Sequence, residues 1–474
     1  MSSDHIQNIK SLLKKTNYQD DCQIIPLPSS GSNRSYYRVI FSDTNNPQTL
    51  IASFNDDVGE NIAHNSFTEH FKSLGLNVPI IYGRDSSYKY FLLQDLGDTT
   101  LFNYVSTHHE NAIDYYKNAV SDLVKLQVEG IKGLDLDVAY PVKMFNKRSI
   151  MWDLNYFKYY FIKPHNIKFD ENVLEDEFEK FADLLLETEM DFFNYRDFQS
   201  RNIMIHNNTL WYIDFQGGRQ GPLQYDLVSL LYQVKANLSD ATRDLLYNHY
   251  LETLNNVLPG KQAVFEKHYV YFIFFRLMQV MGAYGFRGLI QRKAHFLQSI
   301  PMAISSLTNL AQKSPLNSNY TELNNIFDQI SSLNYPDFST NNIGLTVNIN
   351  SFSFKKKGIP TDISGNGGGH VFDCRSLPNP GRIAELRDYT GLQKPVIAYL
   401  KDQKEMSDFL INAEKIIDQS IDNYLDRKFN NLQINFGCTG GRHRSVYSAS
   451  TIAEYIKNKF PDVNIEVNHM EISN

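Results

Sequence analysis

Cysteine is scarce in this chain: Cys22, Cys374 and Cys438 are the only three in 474 residues. An odd, widely spaced trio offers no disulfide framework and fits a reducing compartment. Long apolar runs are also missing. The greasiest stretch, "HYVYFIFFRLMQVMGAYGF", is broken by Arg276 and Gln279, which predicts a buried helix and not a membrane span. The opening "MSSDHIQNIKSLLKK" lacks the apolar core of a signal peptide and reads as an amphipathic helix. An excess of positive charge is absent too. Lys and Arg number 46 against 53 Asp and Glu, a formal net charge of −7, which argues against a general nucleic-acid or membrane-surface binder. The expectation is a cytoplasmic protein with no membrane partner; an oligomer is left open.

What is present divides the chain. A length of 474 residues exceeds one core, so two or three domains are expected. Residues about 20–100 carry short β-rich runs, "CQIIPLP", "YYRVIFSD", "TLIASFN" and "YFLLQDL", interrupted by the helical "NIAHNSFTEHFKSLGL". From about 101 to 312 the periodicity is helical, except for the hairpin pattern "NIMIHNNTLWYIDF" around an Asn-Asn turn. A small β-lobe (1–100) followed by a larger α-lobe (101–312) is the layout of a bilobal, protein-kinase-like fold. Residues 313–342 are polar, rich in Asn and Ser, and read as a linker with one short helix. In 343–474 the strand candidates "GLTVNINSFSF", "HVFDCRSL", "PVIAYL" and "LQINFGCTGG" alternate with helices such as "SVYSASTIAEYIKNKF". That predicts a compact α/β domain with a mainly parallel sheet. "SGNGGG" reads as a flexible loop. The whole chain is therefore expected to combine α/β and α+β architecture.

Tyr195 to Asn202 reads "YRDFQSRN", and the hairpin behind it ends in "YIDF". Phosphoryl transfer asks a protein for positioned charge rather than covalent help. One carboxylate takes the proton of the acceptor hydroxyl; an amide oxygen and a second carboxylate hold Mg2+. Asp197, Asn202 and Asp214 supply that set in order. Each alone is as well explained by a helix cap, a turn or a strand end. Together, behind a β-rich lobe, they point to a site.

The same residues carry a resemblance. "YRDFQSRNIM" and "YIDFQGGRQGPLQYDLVSLL" resemble the aminoglycoside phosphotransferase and choline kinase family, whose fold is that of protein kinases. They look most like the cell-wall-recycling anomeric kinases, which phosphorylate N-acetylmuramate and N-acetylglucosamine at C1. The likeness takes in "LPSSGSNRSYYRV", "GLNVPIIYG", "YFLLQDLGDTTL", "FRLMQVMGAYGFRG" and "HFLQSIP", about residues 5–312. It implies ATP, with GTP left open, and Mg2+ as cofactors. It implies Asp197 as base, Asn202 and Asp214 as metal ligands, and Asp226 as a buttress of the catalytic loop. Backbone N–H groups of Ser30, Gly31, Ser32 and Asn33 would meet phosphate, and backbone groups of Gln94, Asp95 and Leu96 would meet adenine. Arg196 and Arg201 are candidates for substrate or phosphate, with ion pairs inside the loop as the plain alternative.

Two departures matter. Tyr195 stands where that family has a loop His. Its strand-three Lys, which pairs the phosphates with a helix Glu, has no counterpart in "TLIASFN". Glu69 is a candidate for the helix carboxylate, and Arg34 or Arg38 for the missing cation. An anomeric hydroxyl is more acidic than an ordinary alcohol, so a carboxylate base with Mg2+-bound ATP could suffice. A pseudokinase stays open.

A second pattern, "NFGCTGGRHRSVYSA", joins an apolar strand to a helix and adds Arg442, His443 and Arg444. Converging N–H groups at the positive end of a helix dipole make an anion site, suited to phosphate. Cys438, five intervening residues and Arg444-Ser445, with Gly441 between, also fit a Cys-phosphatase loop. Gly437 replaces the His usual there, and Asp373 or Asp362 would have to serve as general acid. A closer resemblance is to the C-terminal domain of RapZ, the RNase adapter protein. "FSFKKKGIP", "HVFDCRSLPNP", "LRDYTGLQKPV" and "GCTGGRHRSVY" recur in its order, over about 345–470. The resemblance implies an amino-sugar phosphate ligand at Cys438, Thr439, Gly440, Gly441, Arg442, His443, Arg444 and Ser445, with Asp373, Arg375 and Asn379 at the rim or structural. RapZ's own nucleotide domain is missing: no Gly-x4-Gly-Lys-Ser/Thr occurs. The ending "NHMEISN" lacks a basic tail, so RNA contact is disfavoured though left open.

The reading is an ATP-dependent kinase for the anomeric hydroxyl of N-acetylated amino sugars in cell-wall recycling, with a C-terminal domain that binds an amino-sugar phosphate. The alternatives are a non-catalytic regulatory adapter binding nucleotide, amino-sugar phosphate and RNA, and a Cys-dependent phosphatase in the C-terminal domain.

Overall fold

Five strands follow the first helix, α1 (Ser2–Lys15), and in two of them buried side chains fall at every second position. The strands are β1 (Cys22–Pro26), β2 (Ser35–Phe41), β3 (Thr49–Phe54), β4 (Ile81–Arg84) and β5 (Tyr90–Gln94). Tyr37, Val39 and Phe41 of β2 are buried at every second position, the period of a sheet with one covered face. The five strands form an antiparallel sheet in the order β1-β2-β3-β5-β4. Ile9, Leu12 and Leu13 of α1 pack into the same core as Val39, Leu50 and Leu92. Helix α2 (Val58–Ser73) connects β3 to β4, and the Asp57 side chain caps it by accepting from the Glu60 N–H at 3.2 Å.

A computed structural model describes the chain except residues 1, 19–20, 29–33, 43–47, 108–111, 292, 336–343, 363–368, 428 and 473–474. Two compact units result. One takes Met1–Lys158, Lys168–Val280 and Met302–Ser331; the other takes Tyr159–Ile167, Met281–Pro301 and Ser332–Asn474. No helix among the described residues is long and apolar enough to cross a membrane.

After the sheet the chain turns helical: α3 (Leu101–Thr107), α4 (Ala112–Val128), α5 (Lys147–Phe157), α6 (Glu171–Leu186), α7 (Leu223–Leu231), α8 (Asp240–Val257), α9 (Gln262–Tyr284), α10 (Ala294–Leu297), α11 (Ile300–Lys313) and α12 (Thr321–Ser331). Between α6 and α7 lie four short strands, β6 (Phe192–Asn194), β7 (Ile203–His206), β8 (Thr209–Tyr212) and β9 (Arg219–Gly221). β6 pairs with β9, and β7 with β8, both antiparallel. Asn207 and Asn208 at the tip of the β7–β8 hairpin have φ of +50° and +57°, the left-handed pair that a two-residue Asn-Asn turn requires. Beneath these strands Phe71, Phe193, Phe198, Tyr212 and Phe215 belong to one buried cluster with α4 and α7 residues.

The one short helix expected in the segment read as a linker is α12, and it packs on α6 and α9. Leu323, Ile326, Phe327 and Ile330 make a buried stripe on α12, and Phe327 stacks on Phe274 of α9. The buried carboxylate of Glu177 on α6 accepts from the Glu322 and Leu323 N–H groups, each at 2.8 Å. Polar composition disguised this, because the apolar residues are few but fall at helical spacing.

The C-terminal part of the second unit is a parallel sheet of β10 (Thr346–Ser353), β11 (Gly369–Asp373), β12 (Asn431–Cys438) and β13 (Asn464–His469), in the order β11-β12-β10-β13. Its helices are α13 (Lys394–Lys401), α14 (Lys404–Asp426) and α15 (Arg444–Lys459). Two details differ from the sequence reading. "PVIAYL" is helical: it lies within α13, with Pro395 in the first turn, where a missing N–H is harmless, and only Val396 and Leu400, one turn apart, buried. β13 was not anticipated, because its "NIEVNH" is mostly exposed and takes its order from pairing with β10. The "SGNGGG" segment lies outside the described residues up to its last glycine, which opens β11.

Candidate functional sites

Asp226 organises the first site. It is fully buried on α7 and accepts from the N–H of Tyr195 at 2.6 Å, the N–H of Arg196 at 2.9 Å and the Asn194 side-chain amide at 3.1 Å. Burial pushes its carboxyl up to about 7, against the pull of those N–H donors. These bonds hold the 195–202 loop in a tight turn with Arg196 at φ +74°. Tyr195 donates its hydroxyl to the carbonyl of Ile213 at 2.5 Å, tying the loop to the residue before Asp214. Asp214 has φ +70°, a left-handed conformation that turns the chain out of the hairpin.

Asn202 is the hub. Its amide Nδ2 lies 2.9 Å from the Asp197 carbonyl, 2.9 Å from Asp197 Oδ2 and 3.4 Å from Asp214 Oδ2. The three predicted side chains thus converge. Asp197 also accepts from Gln199 and, at 3.1 Å, from Arg201 Nη2. Among the described residues no three His, Cys, Asp or Glu side chains group as a metal cage. The donor set is one carboxylate and one amide, which fits an octahedral ion that keeps water and phosphate oxygens as its remaining ligands.

Arg34 enters from the start of β2. Its Nη1 donates to Asp214 Oδ1 at 2.7 Å, and its Nη2 bonds the carboxylate of Glu60 on α2. Burial would raise the Asp214 carboxyl, but the Arg34 charge and the Gln216 amide outweigh it and hold the group below the usual range. His64, one turn after Glu60, stacks on Phe215, and burial with the Arg34 charge lowers its imidazole to about 4. Glu69 is not the helix partner: its carboxylate accepts from Asn65 on the exposed side of α2. Glu60 was missed because it lies three residues after the cap Asp57, where a carboxylate normally signals a helix start. Arg38 serves elsewhere. It pairs with Asp95 at 2.7 Å and Asp98 at 2.8 Å.

Of the other expected residues, Gln94 donates its backbone N–H to the Ile80 carbonyl at 2.9 Å, and the Leu96 carbonyl lies 3.2 Å from His206 Nδ1. Ser30, Gly31, Ser32 and Asn33 lie outside the described residues. Arg196 pairs with Asp153 at 3.0 Å and lies over the Tyr225 ring at 4.7 Å. Arg201 pairs with Asp197 within the loop.

The second site forms where β12 runs into α15. Gly437 is wedged: a Cβ there would meet the Phe352 and Phe354 rings at 2.4 and 2.5 Å, so no His fits. Cys438 Sγ lies 3.1 Å from Ser445 Oγ and accepts from the Gly441 N–H at 3.2 Å. Burial works against its thiolate, but these bonds and the Arg444 charge prevail and lower the thiol. Burial pushes Cys374 up to about 12. Arg444 donates Nη1 to the carbonyls of Arg375 at 2.8 Å and Leu377 at 3.0 Å. Its buried Nε has no partner in the structure. Arg442 and His443 face the carbonyls of Asp388 and Arg387. Ser353 Oγ holds the Thr439 carbonyl at 2.7 Å. Asp373 pairs with Arg375 at 2.6 Å, and Asn379 caps the turn at Gly381. Glu471, unanticipated, packs its Cγ 2.5 Å from where a Cβ on Gly441 would stand; its Oε1 is buried and unpartnered.

Comparison with known proteins follows this division. The family model of the phosphotransferase enzyme family matches residues 24–260, half of the chain. The chain belongs to the phosphotransferase enzyme family. It also carries a RapZ C-terminal domain, matched over residues 345–473. A nucleotide-binding protein of Clostridium acetobutylicum is 41% identical over 127 residues, 27% of this chain and 41% of that protein. One from Histophilus somni is 39% identical over 127 residues, 27% of this chain and 42% of that protein. The chain therefore spans about two fifths of the length of the curated relatives it matches. Among solved structures, a Plasmodium vivax ethanolamine kinase is similar with a TM-score of 0.43 and 13% identity, covering 62% of this chain and 83% of that one. A choline kinase from Streptococcus pneumoniae has a TM-score of 0.44 and 12% identity, covering 65% and 98%.

Proposed function

We propose that the first unit is an ATP-dependent kinase acting on the anomeric hydroxyl of N-acetylated amino sugars, in cell-wall recycling. The RapZ C-terminal domain binds an amino-sugar phosphate and tunes the kinase. The observation that carries the reading is the meeting of Asp197, Asn202 and Asp214 within 3.4 Å of one amide nitrogen. Asp197 takes the acceptor proton while Asn202 and Arg201 keep its carboxylate oriented. Asp214 and the Asn202 side chain would hold Mg2+, which supplies charge neutralisation on the transferring phosphate when bound. Asp226 fixes the loop and touches no reactant. ATP is the expected donor, with GTP left open, because backbone groups around Gln94, Asp95 and Leu96 would read the base.

Two buried atoms of opposite character support the reading of the C-terminal domain. Arg444 Nε is an unpaired donor and Glu471 Oε1 an unpaired acceptor beside the same loop. A ligand with both a phosphate and an ammonium group answers both. A phosphatase reading gains from the lowered Cys438 thiol. It loses more, because Arg444 spends its Nη1 on the Arg375 and Leu377 carbonyls and meets the loop only through Nη2, 3.5 Å from Thr439 Oγ1. A non-catalytic adapter is favoured only by the absence of Lys from β3.

The test is ADP release with a panel of free and N-acetylated sugars, the product's phosphate position being read by phosphorus NMR. Asp197→Asn is expected to lower turnover about 100- to 10,000-fold. No turnover with any sugar, or a variant equal to wild type, removes the kinase reading and leaves the adapter.

A further inference from the structure

Strand β3, Thr49–Phe54, presents no lysine to the cleft, yet the cleft is not short of a cation. The Arg34 side chain is only 13% exposed and bridges two carboxylates from distant elements, Glu60 of α2 and Asp214 after β8. The bridge is built from both ends. Asn55 donates to the second oxygen of Glu60 at 2.8 Å, and Gln216 donates to Asp214 Oδ1 at 2.7 Å. Arg34 directly follows residues 30–33, where the phosphates are expected.

We propose that Arg34 and Glu60 together replace the strand-borne lysine pair, with Arg34 as the phosphate-gripping cation, and that in the nucleotide-free chain Arg34 occupies the carboxylate that must take the metal. This rests on the kinase reading above. A guanidinium 2.7 Å from Asp214 Oδ1 and a divalent cation on the same carboxylate repel one another. Loading therefore requires Arg34 to leave Asp214. Glu60 retains one side of the guanidinium, and the freed N–H groups turn to the negative phosphates. Arg34 thus has opposite effects on two ligands: it competes with bare metal and assists nucleotide.

That opposition is the test. The probes are Mn2+ alone, followed by the electron paramagnetic resonance of the free ion, and Mg2+-ADP, followed by calorimetry. Arg34→Met is expected to weaken Mg2+-ADP about ten- to a hundredfold and to tighten Mn2+ alone about fivefold or more. Arg34→Lys should restore part of the nucleotide affinity, and Glu60→Gln should weaken nucleotide less than Arg34→Met does. Lys89→Met, which removes an exposed pair with Asp56 between the residue before β5 and the turn after β3, is the reference and should change neither. Melting curves establish that each variant is folded. If Arg34→Met weakens both ligands, its role is structural; if it changes neither, it grips nothing, and either result overturns the assignment. A wild-type chain that binds no nucleotide removes the kinase reading and the assignment with it, whereas nucleotide binding equal in wild type and Arg34→Met removes the assignment alone.

Discussion

Single side chains near Asp214 set opposing pH dependences. Burial, then the charge of Arg34, lowers His64 from 6.5 to about 4. Below about pH 6.5 the unfolded chain binds a proton that the folded chain refuses, so stability is lost as pH falls from there toward 4. Asp226 works the other way: its carboxyl, raised to about 7, keeps a proton that the unfolded chain releases, so its contribution falls as pH rises from about 4 to 7. The clean readout is the difference between wild type and His64→Gln in denaturant unfolding across pH. The variant is expected to lose less stability on acidification, by about 3 kcal/mol at most. A difference that stays flat between pH 7 and 4 would show that His64 is protonated alike in both states.

At the scale of elements, α12 shows how a helix is recruited by one distant carboxylate. Its N-terminal N–H groups would be unpaired without Glu177, which sits 2% exposed on α6. Glu177→Ala is expected to cost about 2–4 kcal/mol and to raise hydrogen exchange in α12 well beyond that in α4. Unchanged protection of α12 would mean that its apolar stripe docks it alone. The β7–β8 hairpin is the contrasting case. Its Asn-Asn turn and strand pairing are local, and distant groups only add to them: the Tyr212 N–H donates to the Asn77 carbonyl and the Ile205 N–H to the Thr99 carbonyl, each at 2.9 Å.

For the whole molecule, two compact units with separate cores predict two unfolding transitions, each answering to its own ligand. Mg2+-ATP at about 100 times its dissociation constant should stabilise the first unit by about 2.7 kcal/mol, and an amino-sugar phosphate should stabilise the second directly and, through the proposed tuning, shift the first by a smaller amount. Differential scanning calorimetry with each ligand separates the effects. A single transition shifted by both would instead indicate strong coupling between the units.

Much of this was legible in the residues themselves. The ordered Asp197, Asn202 and Asp214 were, because a loop, a two-residue turn and a strand end fix their spacing locally. So were the alternating β2, the buried α9 and the loop between β12 and α15, each a matter of period or glycine placement. Tertiary structure alone decided who meets Asp214. Arg34 is 180 positions away from it and 26 from Glu60, and no local pattern encodes such a meeting. The same holds for α12 on Glu177, for Glu471 against Gly441 and for the edge strand β13. Local sequence sets backbone preference within a few residues; pairing between distant charges, and strands ordered by their neighbours, exist only once the chain has folded.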